Sequence, residues 1–538
     1  MGQRRLMTGG RVFTADPARP WAEAVVIEGD RIAFVGDART ARARAGDTAE
    51  TIDVAGGLVL PGFVDGHVHV TMTGAAMLKA HLRGSGSLEE IQRRVRKWAD
   101  EHPDEPRVLG TNWVYSDVPD ARPTKEMLDC IVPDRPVYLE AHDFHSSWVN
   151  SAALAELGID DDTPDPLGGE IVRDPGTGQA TGHLLEAASA EWVWPLLANV
   201  EDQVRERHIA TALEAFARAG ITSVVEMALE ETALRSMRKI HEAGRLTARI
   251  VAHMIVFRTG DPETELAQVR RAADLADEHR GDRLRVGGIK IIADGTIDGC
   301  TAALSEPYTN GISADPIWDA QTLNPVVEAA DAAGLQVAIH AIGDEAARIA
   351  VDALENAMQV NGTAGRRHRI EHLEYVRDEE IARMGRLGIT ASMQPVHLDP
   401  ALLDRWLEVI GPERGNQGFA WPLYLAAGSA LAFGTDTPTA PYESLPNMYL
   451  ASTRKSPTDD SLPALRPDWA LPLEQAIVHG TRESAWAAWL EHETGMVKPG
   501  LAADIVVLDR DFFAGGPASL LRTGVRLTMM NGAVVHAC

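Results

Sequence analysis

Two histidines, His67 and His69, stand one residue apart in the stretch PGFVDGHVHV, residues 61–70, at the end of an apolar run. In an extended chain residues i and i+2 point to the same face about 7 Å apart, so both rings can converge on one atom above a strand end. That geometry suits a metal ion, although a lone His-x-His can equally end a strand at the surface. The rest of the chain supplies company for it. Lys290 occurs in GGIKIIADG, His340 in VAIHAIGD, His372 in RIEHLEY and Asp436 in AFGTDTP, each at the polar end of an apolar segment. Taken singly, each has an ordinary reading: a satisfied core histidine, a lysine that snorkels to a loop, an aspartate that starts a turn before Thr437 and Pro438. Four histidines, a lysine and an aspartate at five strand ends together read as a metal site. Cys130, Cys300 and Cys538 are far apart and form no CxxC pair, so any metal here is held by His, Asp or Lys chemistry.

Lys290 carries the sharpest inference. It lies among Ile289, Ile291 and Ile292, where a charged ammonium is costly to bury unless it is modified or partnered. Reaction with carbon dioxide would turn it into a carbamate, an anionic ligand whose two oxygens can bridge two metal ions. His81, His102, His208, His241, His279, His368, His479 and His492 fall in helical or polar segments without such company.

Eight strand candidates must position these residues. They are LVLPGFVDGHVH, then segments at 221–227, 248–257, 285–295, 335–344, 366–376, 388–397 and 429–438. Helical stretches such as RERHIATALEAFARAG and PETELAQVRRAADLADEH separate most of them, the βα repetition of a (β/α)8 TIM barrel of the α/β class, whose chemistry sits at the C-terminal strand ends. The interval between the first strand, near 69, and the second, near 221, is too long for a loop and predicts a folded insertion at about 75–205 beside the active-site face. Both termini carry β-branched runs broken by turn signals, Gly29-Asp30, Pro499-Gly500 and Asn531-Gly532. Residues 1–60 and 490–538 are therefore expected to build one small β-sandwich domain on a barrel spanning 61–489.

The 538 residues carry 51 Lys plus Arg against 78 Asp plus Glu, a formal charge of -27, which disfavours nucleic acid and anionic membrane surfaces as partners. No apolar run of ~18 residues and no secretory h-region is seen, so the expected location is the cytoplasm. The expected partner is a small-molecule substrate, with a homodimer entertained.

The ordered motifs PGFVDGHVH, RPVYLEAHDFHSSWVNSAAL, GGEIVRD, TGHLLEAA, IKIIADGT, TAALSEPY, AIHAIGDEA, RIEHLEYV, SMQPVH, GTDTP and KPGLAADIVVLD resemble the metal-dependent amidohydrolase superfamily along nearly the whole chain. The resemblance is to its amidohydrolase-3 group, which includes N-substituted formamide deformylase-like and YtcJ-like proteins. It implies that His67, His69, Lys290, His340, His372 and Asp436 are the metal ligands, with one or two ions, zinc the usual one, and Lys290 the carboxylated lysine. Phe144 stands where a small residue is usual and narrows the pocket near His145, while Glu226 ends strand two where other polar residues are usual. A metal lowers the pKa of water from 15.7 toward ~7 and polarises a carbonyl. The expected reaction is thus attack of a metal-bound hydroxide on an amide, N-formyl or cyclic amide C–N bond. Asp436 would move the proton, His145 and His397 would orient or stabilise the oxyanion, and Trp113, Tyr115 and Phe144 would wall the pocket. Two alternatives are an aminohydrolase that deaminates a heterocycle and a non-catalytic regulatory protein on the same scaffold. Lys290, and the Asp344-Glu345 pair in place of a His-x-x-Glu spacing after His340, speak against the first; the intact ligand set speaks against the second.

Overall fold

The computed structural model describes residues 4–538; the first three residues of the expected N-terminal segment lie outside the described residues. At its centre eight parallel strands run in chain order: Phe63–Val68, Ile221–Leu229, Arg249–Ile255, Leu284–Ile292, Gln336–Ala341, Arg369–His372, Thr390–Met393 and Leu431–Phe433. They are barrel strands one to eight. Seven neighbouring pairs are hydrogen-bonded ladders, and the eighth contact is lighter. A parallel bridge joins Val68 to Thr437, His69 N–H donates to the Thr437 carbonyl at 3.0 Å, and Asp436 N–H donates to the His67 carbonyl at 2.7 Å. The α/β barrel expected from the sequence is therefore present, nearly closed.

The strands are buried almost throughout because they are covered on both faces. Outside, helices such as Asp202–Arg218, Pro262–Glu278 and Asp344–Asn361 bury Phe216, Val269 and Leu354 against them. Inside, at the N-terminal end, Val64, Val225, Val251 and Ala338 pack with Ala485, Ala488 and Leu490, which plug the barrel floor. The helix starts follow local chemistry: Asp261 caps its helix by accepting from Thr264 N–H, with Pro262 at the first turn.

Between strands one and two the chain makes a six-stranded sheet, from Ala80–His81 to Ala180–Glu186, with Gly169–Arg173 at one edge. One face packs on the helix Leu88–Glu101 through Ile91, Val95 and Trp113, and the other carries Tyr138, Leu154 and Leu184. Strands from both chain ends form two further sheets. Arg4–Thr8, Ala24–Glu28, Arg31–Gly36 and Glu50–Asp53 make one, and Leu58–Pro61, Ile505–Leu508, Val525–Met530 and Ala533–Ala537 lie in the other. Met7, Val25, Ile27, Val59, Ile505 and Val507 form the layer between them. Among the described residues no helix is long and apolar enough to cross a membrane.

Candidate metal centre

His67, His69, Lys290, His340, His372 and Asp436 all line one cavity at the C-terminal end of the barrel. Each arrives from the end of a different strand or from the turn just after it, except the first two, which share strand one.

His67 Nε2 lies 3.1 Å and His69 Nε2 3.0 Å from the same atom, Asp436 Oδ1. The other nitrogen of each ring is taken. His67 Nδ1–H donates to Glu371 Oε2 at 2.7 Å, and His69 Nδ1–H donates to the Met227 carbonyl at 2.8 Å. An imidazole protonated on Nδ1 presents the lone pair of Nε2, so the two rings offer lone pairs to a carboxylate oxygen. Asp436 Oδ1 is buried and has no hydrogen-bond partner despite its two close neighbours. Acceptors crowded together without a proton between them are costly in a buried site, and a cation resolves the conflict. These residues fit a metal ion.

A second group adjoins the first and shares Asp436. His397 Nε2 is 3.6 Å and His372 Nδ1 4.0 Å from Asp436 Oδ2, and the ring of His340 lies 4.4 Å from that of His372. His372 Nδ1 is also 2.9 Å from Gln394 Oε1, and His340 Nε2 is 3.2 Å from the Gly295 carbonyl. Each of the trios His67, His69, Asp436 and His372, His397, Asp436 brings its ligand atoms within 4.8 Å of one another. Lys290, 2% exposed, places Nζ 3.4 Å from His67 Nε2.

Burial governs the charges. It pulls the Lys290 amine down to about 8 against the opposing pull of Glu371 and Asp436, so the neutral form is accessible near neutrality. Burial, aided by His145 and Lys290, also holds His340 well below the ordinary imidazole value; burial and His340 do the same for His372. Both rings are neutral, the form that ligates.

The remaining expected residues divide. His145 lines the cavity, its ring 5.3 Å from that of His340, and its Nδ1–H donates to Glu186 Oε2 at 2.7 Å. Burial opposes its protonation, yet Glu186 raises it to about 9, so it is an imidazolium at neutral pH. Phe144 lines the cavity from a left-handed backbone, φ 61°, and His397 lines it from the short helix Pro395–Leu398. Trp113 and Tyr115 are a correction. They are not among the cavity-lining residues; Trp113 donates through Nε1 to the Leu139 carbonyl, Tyr115 bonds to Ser146 Oγ, and both pack with Trp148 in the core of the insertion. Their size and apolar bodies are used for packing there.

Glu371 was not singled out from sequence, although it holds His67 and is itself held by Arg369 Nε at 2.5 Å. Alternation along a strand sends Glu371 and His372 to opposite faces, but His372 adopts φ 75°, which breaks the alternation and lets both face the site. The signal available was the repeated buried polar pair, Asp65 with His67 and Arg369 with Glu371, at i and i+2.

A parallel barrel with histidines and an aspartate gathered at its strand ends, where they could hold a metal ion, defines the class of metal-dependent hydrolases of the amidohydrolase type. The sequence pattern of the amidohydrolase family matches residues 50–536, and the chain belongs to that family. It is 31% identical to the YtcJ protein of Bacillus subtilis (strain 168), covering 98% of both chains. It is 27% identical to an N-substituted formamide deformylase of Arthrobacter pascens, covering 98% of this chain and 97% of that protein. Among solved structures, an uncharacterized metal-dependent hydrolase from Pyrococcus horikoshii OT3 superposes with a TM-score of 0.76 at 26% identity, covering 96% of this chain and 98% of that one.

Proposed function

We propose that this protein hydrolyses a C–N bond of a small molecule, an amide, N-formyl or cyclic amide, with zinc held by His67, His69, Lys290, His340, His372 and Asp436. The observation that carries the reading is the convergence of two imidazole nitrogens on the unpartnered Oδ1 of Asp436. The name of the Arthrobacter relative, a deformylase of N-substituted formamides, supports an amide-type bond. A divalent ion in such a site supplies Lewis acidity, lowering the pKa of water toward ~7 and polarising the carbonyl under attack.

The chain's own groups do the rest. Asp436 Oδ1 is turned to His67 and His69, so Oδ2, on the side of His372 and His397, is the atom that takes the proton from water and returns it to the leaving nitrogen. The imidazolium of His145 presents an N–H to the oxyanion of the tetrahedral intermediate, oriented by Glu186. Lys290, once its ammonium has lost a proton, would add its Nζ to carbon dioxide, and loss of a second proton would leave the anionic carbamate. Three free thiols suit the cytoplasm as the working compartment.

The test is metal analysis of the purified protein followed by a screen of N-formyl, N-acyl and cyclic amides. One to two equivalents of zinc or a similar ion and chelator-sensitive hydrolysis are expected. A protein that refuses added zinc and cobalt yet hydrolyses such amides would overturn the proposal.

A further inference from the structure

One wall of the cavity holds a cation with no counter-ion. Arg83 follows the short strand Ala80–His81 of the insertion and lines the same cavity as the metal-ligand set. Its Nη2 donates to Asn112 Oδ1 at 2.9 Å and to the Thr439 carbonyl, both uncharged acceptors. Among the described residues no carboxylate lies within salt-bridge distance of it; Asp399 acts on it only through space. Nη1, whose N–H groups make no hydrogen bond to the protein among the described residues, remains available.

The position is close to the chemistry. Thr439 lies three residues beyond Asp436, its hydroxyl donates to the Asp436 carbonyl at 2.6 Å, and the same hydroxyl is 3.2 Å from His397 Nε2. Arg83 is thereby anchored to the loop that presents Asp436. Most of the acids lining this cavity have other engagements: Glu140 pairs with Lys79, Asp143 accepts from His145 N–H and Thr296, Glu374 accepts from Trp406 Nε1, and Glu226 accepts from Val70 N–H, while Glu230 is exposed. Burial raises Asp298 well above an ordinary carboxyl, which favours its uncharged form. Much of the remaining lining is apolar, including Phe144, Trp194, Leu197, Phe257 and Leu402. A half-buried guanidinium without a salt-bridged anion is unfavourable in the free protein, and a charged N–H donor to a carboxylate makes a strong, charge-assisted hydrogen bond.

We propose that Arg83 is the specificity residue of this site and holds, through Nη1, a carboxylate carried by an amide substrate with an apolar body, N-formyl or N-acyl amino acids being the simplest members. The bond cleaved rests on the hydrolase reading above; the binding does not. A site that buries a charged donor rejects the analogue lacking the acceptor, because the donor is then left unpaired.

The experiment compares a matched pair that cannot be cut at the amide, N-methylsulfonyl-phenylalanine and its carboxamide, binding to zinc-loaded protein by calorimetry or by the fluorescence of Trp194 and Trp406. The acid is expected to bind more tightly by on the order of 10- to 100-fold, the equilibrium value of a charge-assisted hydrogen bond. In Arg83→Gln the ratio should fall toward one, and Arg83→Lys, which keeps the charge and moves the donor, should lie between. A ratio near one in the wild type would overturn the proposal. So would a ratio that persists in folded Arg83→Gln, which would place the carboxylate on the metal instead. Turnover of N-formyl-phenylalanine and its carboxamide then separates the two readings. Neither compound cut, with the binding ratio intact, fails the hydrolase reading alone. Carboxamide cut with kcat/KM equal to or above that of the acid fails the Arg83 proposal alone.

Discussion

Asp436 serves the site through two differently placed oxygens, and it does so from a left-handed backbone, φ 59°, that a non-glycine residue rarely adopts without cause. Asp436→Asn keeps the shape and removes the proton acceptor, so kcat should fall by ~10²–10⁴, the usual contribution of general acid–base catalysis, with the fold intact by circular dichroism. Near-wild-type turnover would assign the proton work elsewhere. Glu371 never touches the cavity's ligand point, yet it fixes the tautomer of His67. Glu371→Gln should weaken zinc binding by ~10–100-fold in a competition titration, as loss of such a supporting partner does elsewhere. Lys290→Ala should lose most metal and activity, and acetate or propionate, small enough for the vacated space, should restore part of both. Carbon-13 bicarbonate labelling that finds a bare amine in active, metal-replete enzyme would dismiss the carbamate. At this scale the convergence of the six residues on one cavity was legible because a polar side chain ending an apolar strand demands a reason. Glu371 was not, because its orientation depends on the φ of its neighbour, and Trp113 and Tyr115 were misplaced because an aromatic in an insertion signals burial without saying against what.

The strands position these residues by closing a ring, and the seam between strands one and eight is where the site is assembled. Asp65 Oδ1 accepts from Thr435 N–H at 2.9 Å and Oδ2 from Thr435 Oγ1 at 2.6 Å, so PGFVDGHVH and GTDTP are one hydrogen-bonded unit. The approach is close enough to require glycine on both sides. A Cβ on Gly66 would lie 2.8 Å from the Phe433 carbonyl oxygen, and a Cβ on Gly434 would lie 2.5 Å from the backbone nitrogen of His67. Backbone cannot yield as a flexible side chain can. Gly434→Ala should therefore cost about 1–3 kcal/mol in denaturant unfolding and displace His67 and Asp436, with zinc affinity falling in parallel. Unchanged stability and metal content would mean that the seam can open without disturbing the ligands. All eight barrel strands could be read from the sequence, since each is an apolar run with a polar end. Their ends could not: the segment 429–438 keeps only Leu431–Phe433 as strand, because the residues after it leave the ladder to aim Asp436. The pairing inside the insertion was also hidden, for a six-stranded sheet with parallel and antiparallel neighbours leaves no periodic mark in the chain.

Across the whole molecule, chemistry and stability lie at opposite ends of the barrel, the division expected of this architecture. At the N-terminal end Arg249 opens strand three, 1% exposed, and its Nε donates to Asp504 Oδ2 at 2.9 Å, Asp504 also being 1% exposed. The same guanidinium reaches the Asp282 carbonyl and Asn531 Oδ1, while Asn531 N–H donates to Asp504 Oδ1 at 2.7 Å. The Asn531-Gly532 turn, visible in the sequence as a hairpin signal, thus also ties the last strands of the chain to the barrel floor. Removing one partner of a buried ion pair strands the other charge away from water, at a cost of about 3–5 kcal/mol, whereas replacing both by apolar groups of similar volume is often neutral. Asp504→Ala should accordingly lower unfolding stability by that amount, and the double variant Arg249→Met with Asp504→Leu should recover much of it, leaving an unpaired Asn531 as the residual cost. Because every proposed metal ligand comes from the opposite end, the double variant should keep its zinc content and its kcat at temperatures where it remains folded. A double variant as unstable as the single one would show that the hydrogen-bond network, and not charge burial, holds the terminal sheets to the floor; lost metal in a folded double variant would show that the two ends of the barrel are energetically coupled.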